Sequence, residues 1–184
     1  MNMLQRRLRS ARSALVLVDY QQRLMPAIHD GQRVLAEALR LARLAQLLAV
    51  PVLGTEQNPA GLGPNVAALR DACARTLSKT HFDACEDGLL DLLADVDEVI
   101  IAGCEAHVCL LQTVLGLRRA GRPVAVVAAA CGSRSAPDRE LALQRLHDAG
   151  ALIVNTEMLA FEWLHDSRHA RFKDVLALIK TAPR

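Results

Sequence analysis

Residues 98–121 read EVIIAGCEAHVCLLQTVLGLRRAG and combine the two patterns that predict the fold. The run from Glu98 to Gly103 is apolar and β-branched, which is typical of a strand buried on both faces of a parallel sheet. From Val108 to Ala120, apolar residues recur at helical spacing, and Gly121 is a natural residue to follow the end of a helix. A buried strand followed by an amphipathic helix predicts one βα unit of an α/β protein.

The same alternation of strand and helix extends in both directions from this unit. It predicts strands at residues 14–18, 51–55, 76–79, 124–130 and 151–154, helices at 31–49, 65–71, 89–93 and 137–149, a loop at 56–64, and one or two helices over 156–179. About six such repeats predict a three-layer, doubly wound α/β fold of the Rossmann-like kind, with helices on both faces of a parallel sheet. We expect a single domain over residues 13–184, preceded by a basic leader over residues 1–12.

Composition narrows the class of protein. The 184 residues are 52% hydrophobic and 23% charged, as in an ordinary globular domain. A formal net charge of +2 predicts no nucleic-acid partner. Neither a membrane-spanning run nor a signal peptide is expected, so the prediction is a cytoplasmic protein without a membrane partner. The spacing of the five cysteines suits neither zinc knuckles nor a disulfide scaffold, which favours reduced thiols.

Three residues that can carry chemistry follow predicted strands. They are Asp19, Lys79 and Cys109. Because the carboxyl ends of parallel strands meet at one edge of a sheet, we expect these three residues to lie close together. A cysteine at the start of a helix has its thiolate stabilised and its pKa lowered by the helix N-terminus, and an aspartate that loses hydration becomes a usable base. A buried thiol, a capping aspartate and an exposed lysine remain the structural alternatives.

Further segments carry a resemblance to a known family. They are Leu17–Gln21, Thr55–Pro59 with Gly61–Pro64, Ser78–Thr80, Gly103–Cys109 with Thr113, and Cys131–Ser135 with Asp138 and Arg139. With these motifs the chain resembles the isochorismatase-like cysteine hydrolases from Leu15 to about Lys180. The most similar branch is that of the isochorismatase domain-containing proteins.

The resemblance implies a catalytic triad of Asp19, Lys79 and Cys109. It also implies an oxyanion hole formed by the backbone N–H groups of Glu105 and Cys109, with a cis peptide bond between Cys104 and Glu105. The residues expected to line the substrate pocket are Gln21, Gln57, Phe82, Ala106, His107 and Thr113. A structural hydrogen bond is the alternative role for His107.

One departure from the family concerns metal binding. The nicotinamidase branch has an aspartate and histidines after the second strand, whereas residues 56–61 of this chain contain no histidine. We therefore expect no metal site, no cofactor and no activity on nicotinamide.

The predicted activity is hydrolysis of a small-molecule amide, or a related C–N or C–O bond, through a covalent thioester. Two alternatives stay open: a binding or regulatory protein without turnover, and a vinyl-ether hydrolase of the isochorismate type, which does not need the cysteine. Relatives are commonly oligomers, and a homo-oligomer is expected here. Met158, Leu159, Phe161 and Trp163 would suit a subunit contact, or would otherwise close the protein's own core.

Overall fold

The computed structural model describes residues 7–180 of the chain. Its strands are β1 (Ser13–Val18), β2 (Val52–Gln57), β3 (Arg75–Lys79), β4 (Glu98–Gly103), β5 (Val124–Val127) and β6 (Leu152–Val154). All neighbouring strands are parallel, and they form one six-stranded sheet in the order β3-β2-β1-β4-β5-β6. The predicted doubly wound α/β architecture is therefore confirmed.

Helices cover both faces of this sheet. They are α1 (Gly31–Leu47), α2 (Pro59–Leu62), α3 (Ala67–Arg70), α4 (Leu89–Leu92), α5 (Leu111–Arg119), α6 (Ala136–Asp148), α7 (Thr156–Leu164) and α8 (Phe172–Lys180). Helix α1 packs against α7 and α8, and α5 packs against α6, so the sheet lies between two helical layers. Among the described residues, no helix is both long and apolar enough to cross a bilayer.

The central strands hold the core and set the position of the site. Strands β1, β4 and β5 are buried along their whole length, as their apolar runs predict, whereas the edge strands β3 and β6 are partly exposed. Strand order reverses at β1, which pairs with β2 on one side and β4 on the other. In sheets of this kind, a crevice opens beyond the carboxyl ends of the strands at the reversal.

Two predicted segments differ from the structure at strand ends. The predicted loop at 56–64 begins later, because Gln57 still pairs with Lys79 of β3, and residues 59–62 form the short helix α2. The predicted strand at 124–130 ends at Val127. Both neighbours of β5 end their pairing by that residue, and the chain turns into a 3₁₀ helix at residues 128–130.

The terminal segments also refine the prediction. Residues 1–6 of the predicted leader lie outside the described residues. Leu8 is buried and its N–H donates to Glu162, while the N–H of Arg9 donates to Glu98, so this part of the leader belongs to the domain. In α7, Leu159 and Trp163 are core residues, whereas Met158 and Phe161 stay about half exposed.

Strands β1 and β4 approach each other so closely that only glycine fits at the end of β4. A Cβ added at Gly103 would lie 2.5 Å from the Cβ of Val18 and 2.8 Å from its carbonyl oxygen. We expect Gly103→Ala to lower the free energy of unfolding by about 1–3 kcal/mol, because backbone must move to relieve the overlap. Urea unfolding followed by circular dichroism measures this loss.

Gly54→Ala on β2 is the matched control. The added Cβ there would meet only side-chain atoms, at 3.1 Å or farther, which can move aside. An equal loss of stability in the two variants would contradict the close approach of β1 and β4.

Candidate active site

Asp19, Lys79 and Cys109 lie together beyond the carboxyl end of the sheet. Asp19 directly follows β1 with a left-handed φ of 56°, Lys79 is the last residue of β3, and Cys109 lies in a π-helical turn (Ala106–Leu110) between β4 and α5. Lys79 reaches across the end of β2, which places its Nζ 2.8 Å from Oδ2 of Asp19. Both side chains are fully buried.

Strand β2, which lies between these two residues, fixes both side chains. Its Thr55 hydroxyl donates a 2.6 Å hydrogen bond to Oδ1 of Asp19, and Oε1 of its Gln57 accepts a 2.7 Å bond from Nζ of Lys79. Oδ2 of Asp19 is buried and accepts no well-directed hydrogen bond from the described residues, although the ammonium lies close to it. An acceptor position on this carboxylate therefore remains open.

The Cys109 thiol is buried beside this ion pair. Its pKa is raised from 9.0 to about 12, first because burial disfavours the thiolate and second because Asp19 carries a negative charge; the Lys79 ammonium acts in the opposite direction. The expectation of a lowered pKa is therefore wrong in direction, because burial and the charge of Asp19 together outweigh the effect of Lys79. At neutral pH the resting form is the thiol.

A cavity of about 320 Å³ opens onto the thiol. Its lining consists of Asp19, Leu24, Gln57, Leu62, Phe82, Glu105, Val108, Cys109 and Arg134. Gln57 and Phe82 were predicted there. Leu24, Leu62, Val108 and Arg134 were not, although each lies in a segment that follows a strand of the central sheet, which is the signal that identifies such positions.

Two predicted pocket residues instead anchor nearby loops. The Gln21 amide donates to the carbonyls of Gln57 and Gly63 and accepts from the N–H of Gln57, so it ties the loop after β1 to the segment after β2. The Thr113 hydroxyl accepts from the N–H of Ala84 and donates to the carbonyl of Phe82. Neither side chain lines the cavity, because its polar groups are directed into the protein.

Ala106 and His107 also lie outside the cavity lining. Ala106 is fully buried, with its N–H bonded to the carbonyl of Gly132. Nδ1 of His107 lies 3.0 Å from Oγ of Ser133 and 3.2 Å from Oε2 of Glu105. His107 thus contacts the back of Glu105 instead of the cavity, which agrees with the structural alternative for this residue.

Glu105 forms the turn that leads from β4 to Cys109. It takes a left-handed φ of 48°, and no described peptide bond is cis, so the expectation of a cis bond after Cys104 is wrong for this structure; the unusual φ makes the turn instead. The Glu105 carboxylate accepts a 2.9 Å bond from Nε of Arg134. Its backbone N–H has no acceptor among the described residues.

Other parts of the described structure offer less chemistry. Across residues 7–180, no three His, Cys, Asp or Glu side chains lie close enough to hold a metal ion. A larger groove of about 660 Å³ between α1 and α8 is lined by Arg43, Gln46, Leu47, Arg171, Asp174, Ala177 and Leu178, without a cysteine.

Comparison with known proteins places this geometry in context. The Isochorismatase domain family matches residues 13–158. Isochorismatase domain-containing protein 2A of Mus musculus is 38% identical over 170 residues, which cover 91% of this chain and 82% of the mouse protein. The solved structure of MAR1 ribonuclease from Caenorhabditis elegans matches with a TM-score of 0.92 at 36% identity, over 97% of this chain and 95% of that one. The YcaC gene product of Escherichia coli, an octameric hydrolase of unknown specificity, matches with a TM-score of 0.83 at 25% identity, over 96% and 98% of the two chains.

The negative charge of Asp19 contributes to the high pKa of Cys109, so its removal has a measurable effect. In Asp19→Asn we expect Cys109 to form a thiolate at lower pH than in the parent, and the pH profile of its alkylation by iodoacetamide to move down accordingly. Peptide mass spectrometry separates Cys109 from the other four cysteines. Asp91→Asn, on the exposed face of α4, should leave the profile unchanged, and an upward displacement in Asp19→Asn would contradict the charge effect.

The buried ion pair also predicts a large effect on stability. Lys79→Met should lower the free energy of unfolding by about 3–5 kcal/mol, because Asp19 is left as an uncompensated buried charge. The double variant Asp19→Asn/Lys79→Met should recover part of that loss, since no buried charge then remains. Urea unfolding of both variants measures the difference, with the exposed Lys173→Met as control; a double variant less stable than Lys79→Met would refute the pairing.

Proposed function

This chain belongs to the isochorismatase family of hydrolases, and we propose that within it the chain is a cysteine hydrolase of small molecules. The bond cleaved is an amide or a related C–N or C–O bond. Cys109 is the nucleophile, Asp19 is the general base and acid, and Lys79 stabilises the charges that develop beside them. No metal or cofactor takes part in this proposal.

The observation that carries the proposal is the buried cluster of acid, cation and thiol at one end of an apolar cavity. Oδ2 of Asp19 has an open acceptor position beside Cys109, which is where a base must accept the thiol proton. The cavity has Leu24, Leu62 and Val108 among its walls, and its volume of about 320 Å³ suits a compact substrate.

The reaction follows from these positions. Sγ of Cys109 adds to the substrate carbonyl carbon as its proton passes to Asp19. Negative charge develops on the carbonyl oxygen, and the backbone N–H groups of Glu105 and Cys109 donate to it, each being worth about 3 kcal/mol. Collapse of this intermediate expels the amine or alcohol, which takes the proton from Asp19. Water then hydrolyses the thioester and restores the thiol.

Three other activities are tested against this one. A binding or regulatory protein would use the same cavity without turnover, and a vinyl-ether hydrolase would turn over without the thiol. A ribonuclease is considered because the relative from Caenorhabditis elegans carries that name. We favour a cysteine hydrolase over a ribonuclease, because the cavity beside the thiol has the size for a small molecule and its walls are largely apolar.

A homo-oligomer is part of the proposal. The YcaC gene product of Escherichia coli is octameric. In this chain, Met158 and Phe161 of α7 expose 49% and 41% of their surface, which is unusual for large apolar side chains on a helix that otherwise packs into the core. A neighbouring subunit would remove both from water.

The decisive experiment compares turnover in the parent, Cys109→Ala and Asp19→Asn. A panel of small amides, esters, vinyl ethers and a short single-stranded RNA is offered, and denatured samples taken during turnover are analysed by mass spectrometry for an acyl group on Cys109. We expect one or more amides or esters to turn over in the parent, with a loss of at least about 10³-fold in each variant. An acyl adduct should be found on Cys109 alone. Cys85→Ala, at a half-buried cysteine outside the cavity lining, serves as the thiol control.

Each alternative has its own signature. Full turnover of a vinyl ether in Cys109→Ala would establish the isochorismate-type reaction, and RNA cleavage that survives this substitution would establish a ribonuclease. Saturable binding without turnover would establish a binding protein. Any of these results, without an acyl adduct in the parent, would refute the cysteine mechanism.

A further inference from the structure

The buried ammonium of Lys79 is surrounded by oxygen atoms. Its Nζ lies 2.7 Å from Oε1 of Gln57, 2.8 Å from Oδ2 of Asp19 and 3.4 Å from the carbonyl of His81. An ammonium has three N–H donors, and a buried one must use them to offset the loss of water. The shortest of the three contacts is the hydrogen bond to the neutral amide of Gln57, whereas Oδ2 of Asp19 is close to the ammonium but accepts no well-directed hydrogen bond.

The Gln57 amide is held in one orientation. Its Nε2 donates a 2.7 Å hydrogen bond to the carbonyl of Thr80, while its backbone N–H and carbonyl are both bonded to the side chain of Gln21. A flipped amide would direct its nitrogen at the Lys79 ammonium and its oxygen at the Thr80 carbonyl. Both contacts are repulsive, so the oxygen remains directed at Lys79.

The same oxygen faces the nucleophile. Oε1 of Gln57 lies 4.0 Å from Sγ of Cys109, within reach of a weak bond donated by the thiol. A carbonyl oxygen can accept from S–H, but it has no proton to donate to a thiolate. It therefore favours the protonated form of Cys109 while it engages a Lys79 donor that a thiolate would need.

The other charged groups around Cys109 do not replace that donor. Asp19 at the end of β1 is negative and disfavours the thiolate. Glu105 in the turn before Cys109 and Arg134 after β5 also line the cavity, but Nε of Arg134 already donates to the Glu105 carboxylate. Lys79 is the cation whose charge and hydrogen bond lower the pKa of the thiol.

We propose that Gln57 is a positioning residue that competes with Cys109 for the ammonium of Lys79 and thereby keeps the resting nucleophile protonated. The inference rests on the proposed role of Cys109, and it adds a step to the proposed reaction. As the thiol proton moves to Asp19, the contact of Nζ of Lys79 with the sulfur strengthens at the expense of its bond to the Gln57 oxygen.

The test is the pH profile of Cys109 alkylation by iodoacetamide in the parent, Gln57→Met and Gln57→Glu. Gln57→Met keeps the length of the side chain but removes the amide oxygen, so Lys79 can donate more strongly to the sulfur. We expect its midpoint to fall by about one pH unit, which is about tenfold more thiolate at any pH below both midpoints. Gln57→Glu keeps an acceptor for Lys79 and adds negative charge, so its midpoint should rise. Gln144→Met, on the exposed face of α6, is the matched control and should reproduce the parent profile.

The two opposite displacements separate this role from a merely structural one. A structural role would change stability without lowering the midpoint in Gln57→Met and raising it in Gln57→Glu. An unchanged or raised midpoint in Gln57→Met would overturn the proposal. Where that variant does not fold by circular dichroism, a midpoint in Gln57→Glu at or below that of the parent overturns it equally. The outcome is independent of turnover: full activity in Cys109→Ala would refute the cysteine mechanism, and a displaced midpoint would still establish the effect of Gln57 on the thiol.

Discussion

The arrangement of the site depends on a single constraint, which is the removal of the Asp19–Lys79 ion pair from water. Two charges that are fully buried are costly unless each is paired and hydrogen-bonded. The pair spans three strands, because Asp19 follows β1 and Lys79 ends β3. The strand between them must therefore present polar groups at its carboxyl end, and Thr55 and Gln57 of β2 do so. The end of β2 is thus polar because Asp19 and Lys79, which follow and end the neighbouring strands, both need hydrogen-bond partners.

The same edge of the sheet brings the thiol to this pair. Strand order reverses at β1, so the turn after β4 lies next to the end of β1, and the tight contact of Gly103 with Val18 allows that turn to begin close to Asp19. Glu105, with its left-handed backbone, then redirects the chain into the helical turn that contains Cys109. Burial, charge and hydrogen bonding of the thiol all follow from where these two elements end.

The sequence predicts this architecture well where the signal is periodic. Burial alone explains the apolar runs of β1 and β4 and the helical spacing of α1 and α5. The types of residue in these segments are sufficient to predict that burial. The convergence of Asp19, Lys79 and Cys109 follows from a rule of parallel sheets. The cavity lining was predicted less well, since whether Gln21 or His107 faces a ligand depends on side-chain direction within a loop. The pKa of Cys109 was predicted in the wrong direction, because the degree of burial of a single thiol has no periodic signature.

The burial of the thiols has a consequence for oxidative chemistry. Burial is the largest cause of a raised pKa for each of the five cysteines, with values of about 11 for Cys73 and Cys131 and about 12 for Cys85 and Cys109. The thiolate is the form that attacks a peroxide oxygen, so a thiol that stays protonated is oxidised slowly to sulfenic, sulfinic and sulfonic acids. A protein whose cysteines stay protonated is therefore expected to resist peroxide, and Cys109 is expected to keep its thiol through an oxidising episode.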